Sequence, residues 1–250
     1  MGLVQLPLAR AKLDNTKRHI AELERGIADY LSRGLVLPVG FERRGGGQYQ
    51  FQMIVHTFEP PLSLGLIFGD ALHNLMGSLD WLINERVSLR TRPATDLAFP
   101  FSKAEEGFGR QIREKMKDTT EAERQLVKQL KPYSGGNEAL LAVHGLNLQD
   151  KHRSPLRVAA AVVGQTMTMA GIPNDPHAIH HGRFLEVPAE HEALFPSEPG
   201  FTRLGIIEEA QITIAIADDL PFGSREVIEA LSEMSAEVGR VIERFEALPA

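Results

Sequence analysis

"GDALHNLMGSLDWLINE", residues Gly69 to Glu85, has the apolar spacing of a helix and an unusual polar side. At about 100° per residue, Leu, Met and Ile side chains gather on one side, which predicts a stripe that faces a core. The other side surrounds Gly77 and Trp81, the only tryptophan, with short polar residues. Since a glycine costs about 1 kcal/mol relative to alanine within a helix, we expect close packing on this side too. The polar residues are Asp70, His73, Asn74, Asp80 and Asn84.

The bulk composition is that of a globular protein with a substantial core: 250 residues, 43% hydrophobic and 24% charged. A net charge of −6 argues against nucleic acid as a partner, because no overall basic field is present. There is no cysteine, which excludes disulfides and thiolate chemistry and fits a reducing compartment. We see neither a signal peptide nor an apolar run of about 20 residues. We therefore expect a soluble, cytoplasmic protein that makes no use of a membrane.

Other helices are predicted by period and by capping signatures. The quoted stretch belongs to a helix from about Leu62 to Leu89, and apolar steps of three and four predict an N-terminal helix from Leu13 to Leu31. Two shorter helices follow, each with a capping box, in which an N-terminal Ser or Thr pairs with a Glu three residues later. The boxes are Ser102 with Glu105 and Thr120 with Glu123, and a further helix runs from about Asn137 to Lys151.

Strands are predicted before and after these helices. "QYQFQMIVHTF", residues 48–58, alternates aromatic and apolar residues with glutamines, which is typical of a half-buried strand. We interpret the preceding Gly45–Gly47 as a hairpin or a flexible connection. Beyond Pro155 five short strands are separated by Gly, Pro and Asp turns. They are "LRVAAAVVG", "TMTMAG", "RFLEVP", "RLGIIEE" and "QITIAIAD".

The chain ends in a helix of about residues 224–248, which Ser224 is placed to cap. Its apolar seam packs either within the monomer, which we favour, or between two copies. The seam is Val227, Leu231, Met234, Val238, Val241, Phe245 and Leu248. We predict one α+β domain over residues 1–250, a helical core with long N- and C-terminal helices plus a mainly antiparallel sheet. The helical core covers about 62–153 and the strand-rich part about 155–218.

A second helix has an anomaly of the same kind as the first. "NEALLAVHGLNLQDKHR" carries His144, Asn147 and Lys151 on the face of its leucines, at spacings of three and four. It ends in four titratable residues, Asp150 to Arg153. Because buried polar groups need partners, we expect this helix to face the first one. A satisfied polar network between the two is the simplest structural explanation.

These two segments resemble a family of uncharacterised bacterial proteins. The family pairs a GD-x-x-HN…LD helix with an N-x-DKHR segment, here "GDALHN…LD" and "NLQDKHR", and the match covers roughly Leu62 to Arg153. The family helix also contains Arg-x4-His, the spacing of HEPN-type RNA-cleaving domains. This chain has Met76 and Trp81 at those two positions. The resemblance therefore implies no RNA cleavage by that route.

The sequence leaves three functions to compare. The first is a binding protein that holds a small or anionic ligand in a polar cleft between the two helices. The second is a metal-dependent hydrolase, since carboxylate and imidazole suit zinc, manganese or iron; its ligands would be Asp70, His73, Asp150 and His152. The third is a non-catalytic scaffold that forms a homodimer through the C-terminal seam. The predicted ligand-binding residues are Asp70, His73, Asn74, Asp80, Trp81, His144, Asn147, Asp150, Lys151, His152 and Arg153.

No stringent catalytic or metal motif is present. We therefore assign no catalytic residue, metal or cofactor from the sequence, and we favour the binding protein.

Overall fold

The computed structural model describes residues 4–32, 39–44, 48–53, 60–91, 96–152, 156–173, 201–217 and 219–249. The fold is α+β, as predicted. The helices are α1 (Pro7–Ser32), α2 (Leu62–Ser88), α3 (Glu105–Lys115), α4 (Glu121–Leu130), α5 (Glu138–His152) and α6 (Val227–Glu246). The strands are β1 (Val39–Arg44), β2 (Gln48–Met53), β3 (Val158–Pro173) and β4 (Phe201–Ile216).

The chain forms two compact units. The first comprises Met1–Ser32, Pro60–Ala159 and Ile214–Ala250, and the second comprises Arg33–Glu59 and Ala160–Thr213. All six helices belong to the first unit, in which α2 packs against α1, α5 and α6. The predicted apolar stripe of α2 is confirmed as the centre of this core. Its buried members are Leu72, Leu75, Met76, Leu79, Leu82 and Ile83.

The apolar seam of α6 is buried inside the same unit. Val227, Leu231, Met234, Val238 and Val241 have no exposed surface, because α6 packs on α1, α2, α4 and α5. The packing within the monomer that we favoured is therefore confirmed. These five residues therefore leave no surface through which a second copy could pack.

α1 is joined to α2 at several points. Both oxygens of the Glu85 carboxylate accept a backbone N–H from the first turn of α1, from Leu8 and Ala9, each at 2.9 Å. These N–H groups have no partner within their own helix, and a carboxylate also suits the positive end of a helix dipole. The Ser78 hydroxyl donates to the Ala9 carbonyl at 2.7 Å. The helix pair is thus held in register by hydrogen bonds.

The second unit contains strands. β1 and β2 are antiparallel, with Phe41 opposite Phe51 and Arg44 opposite Gln48, which confirms that the two strands form a hairpin. β3 and β4 form another two-stranded sheet. The short strands predicted after Pro155 were wrong in length, because two predicted pairs each run together into one strand of 16 residues. The predicted strand "RFLEVP" lies outside the described residues.

One of the three predicted helix caps is confirmed. Thr120 and Glu123 form the capping box of α4. The Ser102 hydroxyl instead donates to the Ala104 carbonyl, and α3 begins without a side-chain cap. Ser224 has a left-handed backbone (φ 65°), and the cap of α6 is Glu226, whose carboxylate accepts the Glu229 N–H at 2.9 Å. Both errors arose because a capping motif is short and competes with turns outside the helix.

Two glycines let other segments approach α2 closely. A Cβ at Gly65 would lie 2.2 Å from the Leu156 carbonyl oxygen, and one at Gly69 would lie 2.7 Å from the Asp150 carboxylate. The glycine that the sequence singled out, Gly77, is different. Its nearest neighbour is the Lys12 side chain, 3.7 Å from an added Cβ, which is an ordinary contact. Nothing in the described part of this chain therefore requires a glycine at position 77.

A charged cluster is buried between α2, α4 and the C-terminus. Arg86 and Glu123 have fully buried side chains, and their Nε–Oε1 distance is 2.6 Å. Arg90 adds a second ion pair to the same carboxylate at 2.9 Å. The Arg86 guanidinium also donates to the carbonyls of Leu248 and Pro249. The buried guanidinium and carboxylate are thus both matched by several partners, as burial of charge requires.

No helix in the described part of the chain has the length and apolar character needed to cross a membrane.

Candidate functional site

The predicted polar side of α2 is divided between exposed and buried residues. Asp70, His73 and Trp81 are exposed, and Trp81 retains 44% of its surface. Asn74 is buried, and its amide donates to the Asp70 carbonyl at 2.8 Å within the same helix. The expectation that α2 is buried on both sides is therefore corrected. Half of its polar side faces outward in this chain.

The remaining polar residues of α2 hold the segment that follows it. The Asp80 carboxylate accepts the Phe99 N–H at 3.0 Å, and the Asn84 amide lies 3.4 Å from the Leu97 carbonyl. Burial raises the pKa of the Asp80 carboxyl. The hydrogen bond from Phe99 and the positive charges of Lys151 and Lys115 offset part of that rise. Asp80 and Asn84 thus form hydrogen bonds with the backbone of residues 97–99, which explains why short polar side chains occur at these positions.

α5 does face α2, but not through the predicted polar network. Asp150 packs against Gly69 of α2, and Asn147 is buried. Among the described residues, no predicted polar side chain of α2 forms a hydrogen bond or an ion pair with one of α5. Lys151 is exposed at the end of the helix. The side chain of His152, and Arg153 as a whole, lie outside the described residues.

His144 lies on a different side of α5, at a groove. Its ring stacks on Phe101, with centroids 4.4 Å apart and planes 7° from parallel. The groove has a volume of about 760 Å³ and lies between the start of α3, one face of α5 and the turn at residues 221–222. Its apolar lining includes Leu141, Leu148 and Phe222. Leu148 leaves 42% of its surface exposed there, so the groove contains apolar surface that a ligand could cover.

The His144 ring has an unsatisfied atom. Its Nδ1 is buried and has no hydrogen-bond partner among the described residues. Burial lowers the pKa of His144, so the ring is neutral near pH 7. A neutral imidazole can either donate or accept one hydrogen bond at each nitrogen, depending on the tautomer. The groove thus has an aromatic wall, and one nitrogen of the imidazole in that wall is buried without a partner among the described residues.

The rim of the groove carries two cations and one acid. Lys103 is exposed and has no ion-pair partner in the described part of the chain, whereas Arg110 lies 3.8 Å from the neighbouring Glu114. Glu138 accepts the Gly135 N–H at 2.8 Å. Lys103 is therefore the cation most available to a ligand that enters the groove.

The turn at the far wall has a strained backbone. Phe222 has φ 60°, a left-handed conformation that costs a bulky residue about 1 kcal/mol or more. Arg225 lies over the Phe222 ring, 4.6 Å from its centroid. Such strain persists only where surrounding contacts enforce it, and it concentrates at binding sites. The turn holds an aromatic ring against the groove at a cost in stability.

The described residues contain no group of three or more His, Asp or Glu side chains that could hold a metal ion. Asp70 and His73 lie exposed on α2, while Asp150 packs at Gly69. Because the side chain of His152 is outside the described residues, the metal-dependent hydrolase stays a prediction.

Sequence reasoning identified only His144 among the groove residues. Phe101, Lys103 and Phe222 were missed because they come from loops and helix ends, where no periodicity marks them. A signal did exist on α5, since Leu148 shares a helix face with His144 and Leu141 at steps of three and four. The buried Arg86 could also have been found, because it falls within the apolar stripe of α2.

Comparisons of the chain with family models, with curated proteins and with solved structures find no match.

Proposed function

We propose that this protein binds a small, apolar carboxylate or similar anion in the groove between α3, α5 and the 221–222 turn. The observation that carries the proposal is the groove itself, about 760 Å³ in volume, with aromatic and aliphatic walls and cations at its rim. Ligand pockets commonly have volumes of about 300–1,000 Å³, apolar walls and a few polar groups that orient the ligand. The proposal keeps the ligand class that the sequence indicated and locates it beside His144.

The charges favour an anion over a cation. Lys103 and Arg110 contribute two positive charges to the lining and Glu138 contributes one negative charge. The Glu138 carboxylate already accepts a hydrogen bond from the Gly135 N–H, and the Arg110 guanidinium already pairs with Glu114. Lys103 can therefore pair with a carboxylate at the rim while the apolar part of the ligand covers Leu148. Burial of an exposed leucine and pairing of an unpaired cation both favour binding.

Isothermal titration calorimetry with decanoate and decanol tests the proposal, because the two probes share a chain and differ in charge. We expect decanoate to bind more tightly. Lys103→Gln should weaken decanoate binding about three- to tenfold, corresponding to about 0.7–1.4 kcal/mol, and should leave decanol binding nearly unchanged. Leu148→Glu should weaken both probes, since it places a charge on the apolar wall.

Lys17→Gln is the matched control, because Lys17 is an exposed lysine on α1 that pairs only with Asp14 in the described part of the chain. It should bind both probes as the wild type does. The proposal is wrong if neither probe binds, or if Lys103→Gln and Leu148→Glu bind decanoate as well as Lys17→Gln does.

A further inference from the structure

The outward side of α2 carries a stripe with a symmetrical spacing. Its members, here called the α2 stripe, are Leu62, Leu66, Asp70, His73, Gly77 and Trp81. The steps between them are four, four, three, four and four, which is the same order in both directions. Leu62 is 66% exposed and Leu66 is 49% exposed, so large apolar groups lie at one end and the exposed Trp81 at the other. At 1.5 Å per residue, the stripe is about 30 Å long.

An antiparallel second copy would meet this stripe with complementary residues. Across a two-fold axis between Asp70 and His73, Leu62 lies opposite the partner subunit's Trp81, which pairs apolar groups. Leu66 lies opposite the partner subunit's Gly77, so a large side chain meets a residue that has no side chain. Asp70 lies opposite the partner subunit's His73, which pairs an acceptor with an imidazole N–H. The two-fold axis makes each of these pairs occur twice.

A parallel arrangement of the two helices lacks these complementary pairs. In a parallel pair, each residue would face its own copy, so that two Asp70 carboxylates and two Trp81 rings would meet. Like charges opposite each other are unfavourable, and Gly77 facing Gly77 would leave a gap. Charge and shape therefore select the antiparallel arrangement.

The monomer alone leaves two of these residues without a role. Gly77 has room for a side chain, yet a glycine within a helix is less stable there than an alanine. Trp81 is exposed, although tryptophan is enriched in the centres of protein interfaces. We propose that two copies of this chain associate through the α2 stripe, antiparallel, with Leu66 of each subunit packed over the partner subunit's Gly77.

Sedimentation velocity over a range of protein concentrations tests this association. Because one helix per subunit forms a small interface, we expect a monomer–dimer equilibrium in the micromolar range. Trp81 is the only tryptophan, so its fluorescence reports on the interface directly. Its emission should move to longer wavelength on dilution, with the same midpoint as the sedimentation data.

A charge exchange distinguishes the proposed register from other surfaces. His73→Asp alone would bring a second carboxylate opposite the partner subunit's Asp70, and Asp70→His alone would pair two imidazoles; both should weaken the dimer at least tenfold. The double variant Asp70→His/His73→Asp restores acid opposite imidazole and should recover most of the affinity. Trp81→Ala should also weaken the dimer, whereas Leu89→Ala, an exposed leucine (49%) beyond α2 and off the stripe, should not.

The association is refuted by a chain that stays monomeric at every concentration, or by a dimer that Trp81→Ala leaves unchanged. The register is refuted if the double variant dimerises no better than the single ones. Circular dichroism melting of each variant separates loss of the dimer from loss of the fold, and all four altered positions are exposed.

Discussion

Gly65 and Gly77 lie on the same helix, but another segment packs closely against Gly65 and, among the described residues, none packs closely against Gly77. We therefore expect the same substitution to have different effects at the two residues. Gly65→Ala places a Cβ 2.2 Å from the Leu156 carbonyl oxygen, so the backbone must move. We expect a loss of about 1–3 kcal/mol in the free energy of unfolding, the usual cost of overpacking. Gly77→Ala meets no close atom and should raise it by up to about 1 kcal/mol, through helix propensity.

Urea denaturation at low protein concentration measures both glycine variants against the wild type, so that self-association does not contribute. A Gly65→Ala variant as stable as Gly77→Ala would contradict the close approach of Leu156 to α2. The sequence showed that both residues are glycines within a helix. Leu156, which approaches Gly65, lies far away along the chain. The sequence pattern around each glycine therefore does not indicate which of them has a close neighbour.

Among the elements, α2 and α4 are joined by the buried pair Arg86 and Glu123, and the prediction at this scale concerns that pair. Glu123→Gln leaves the fully buried Arg86 guanidinium without its counter-charge. We expect a loss of about 3–5 kcal/mol in the free energy of unfolding, the cost of breaking a buried ion pair from one side. Glu121→Gln, an exposed acid on the same helix, is the matched control and should lose about 0–1 kcal/mol.

The same pair also has a pH signature. Burial acts to raise the pKa of Glu123, but hydrogen bonds from Arg86, Thr120 and Arg90 outweigh it, and the net pKa is lowered. A carboxyl with a lowered folded pKa stabilises the protein above its ordinary pKa, and this contribution is lost as the pH falls through the folded value. Glu123→Gln should therefore lose less stability than the wild type as the pH falls from about 5 to about 3. Denaturant midpoints across that range would show parallel curves if the pair were not formed.

At the scale of the whole first unit, a charged substitution in α6 tests whether the apolar seam of this helix is buried in the core. Val238 has no exposed surface, so Val238→Glu forces a carboxylate into the core and should cost about 3–5 kcal/mol. Ala236→Glu introduces the same side chain at an exposed position of the same helix and should be nearly neutral. Thermal melting followed by circular dichroism compares the two. A Val238→Glu chain with unchanged stability would show that the seam lies outside the core after all.

Periodicity determined much of this fold before any contact was known. The apolar stripe of α2, the seam of α6 and the strand β2 are properties of short segments, since the periods of a helix and of a strand repeat over a few residues. The capping box of Thr120 and Glu123 is local in the same way. These elements could be predicted because their causes lie within the residues that form them.

Only the tertiary structure decided which sides of these elements meet. It turned His144 towards Phe101 and the groove, it buried Asn147, and it left Trp81 exposed. It also brought Lys103, Leu148 and Phe222 to one groove from three separate parts of the chain. Helical spacing gives the angle of a side chain about its own axis, but the partner at that angle depends on how distant segments pack. The sequence alone therefore gave the positions of polar and apolar side chains around α5, and the fold decided which distant segments they contact.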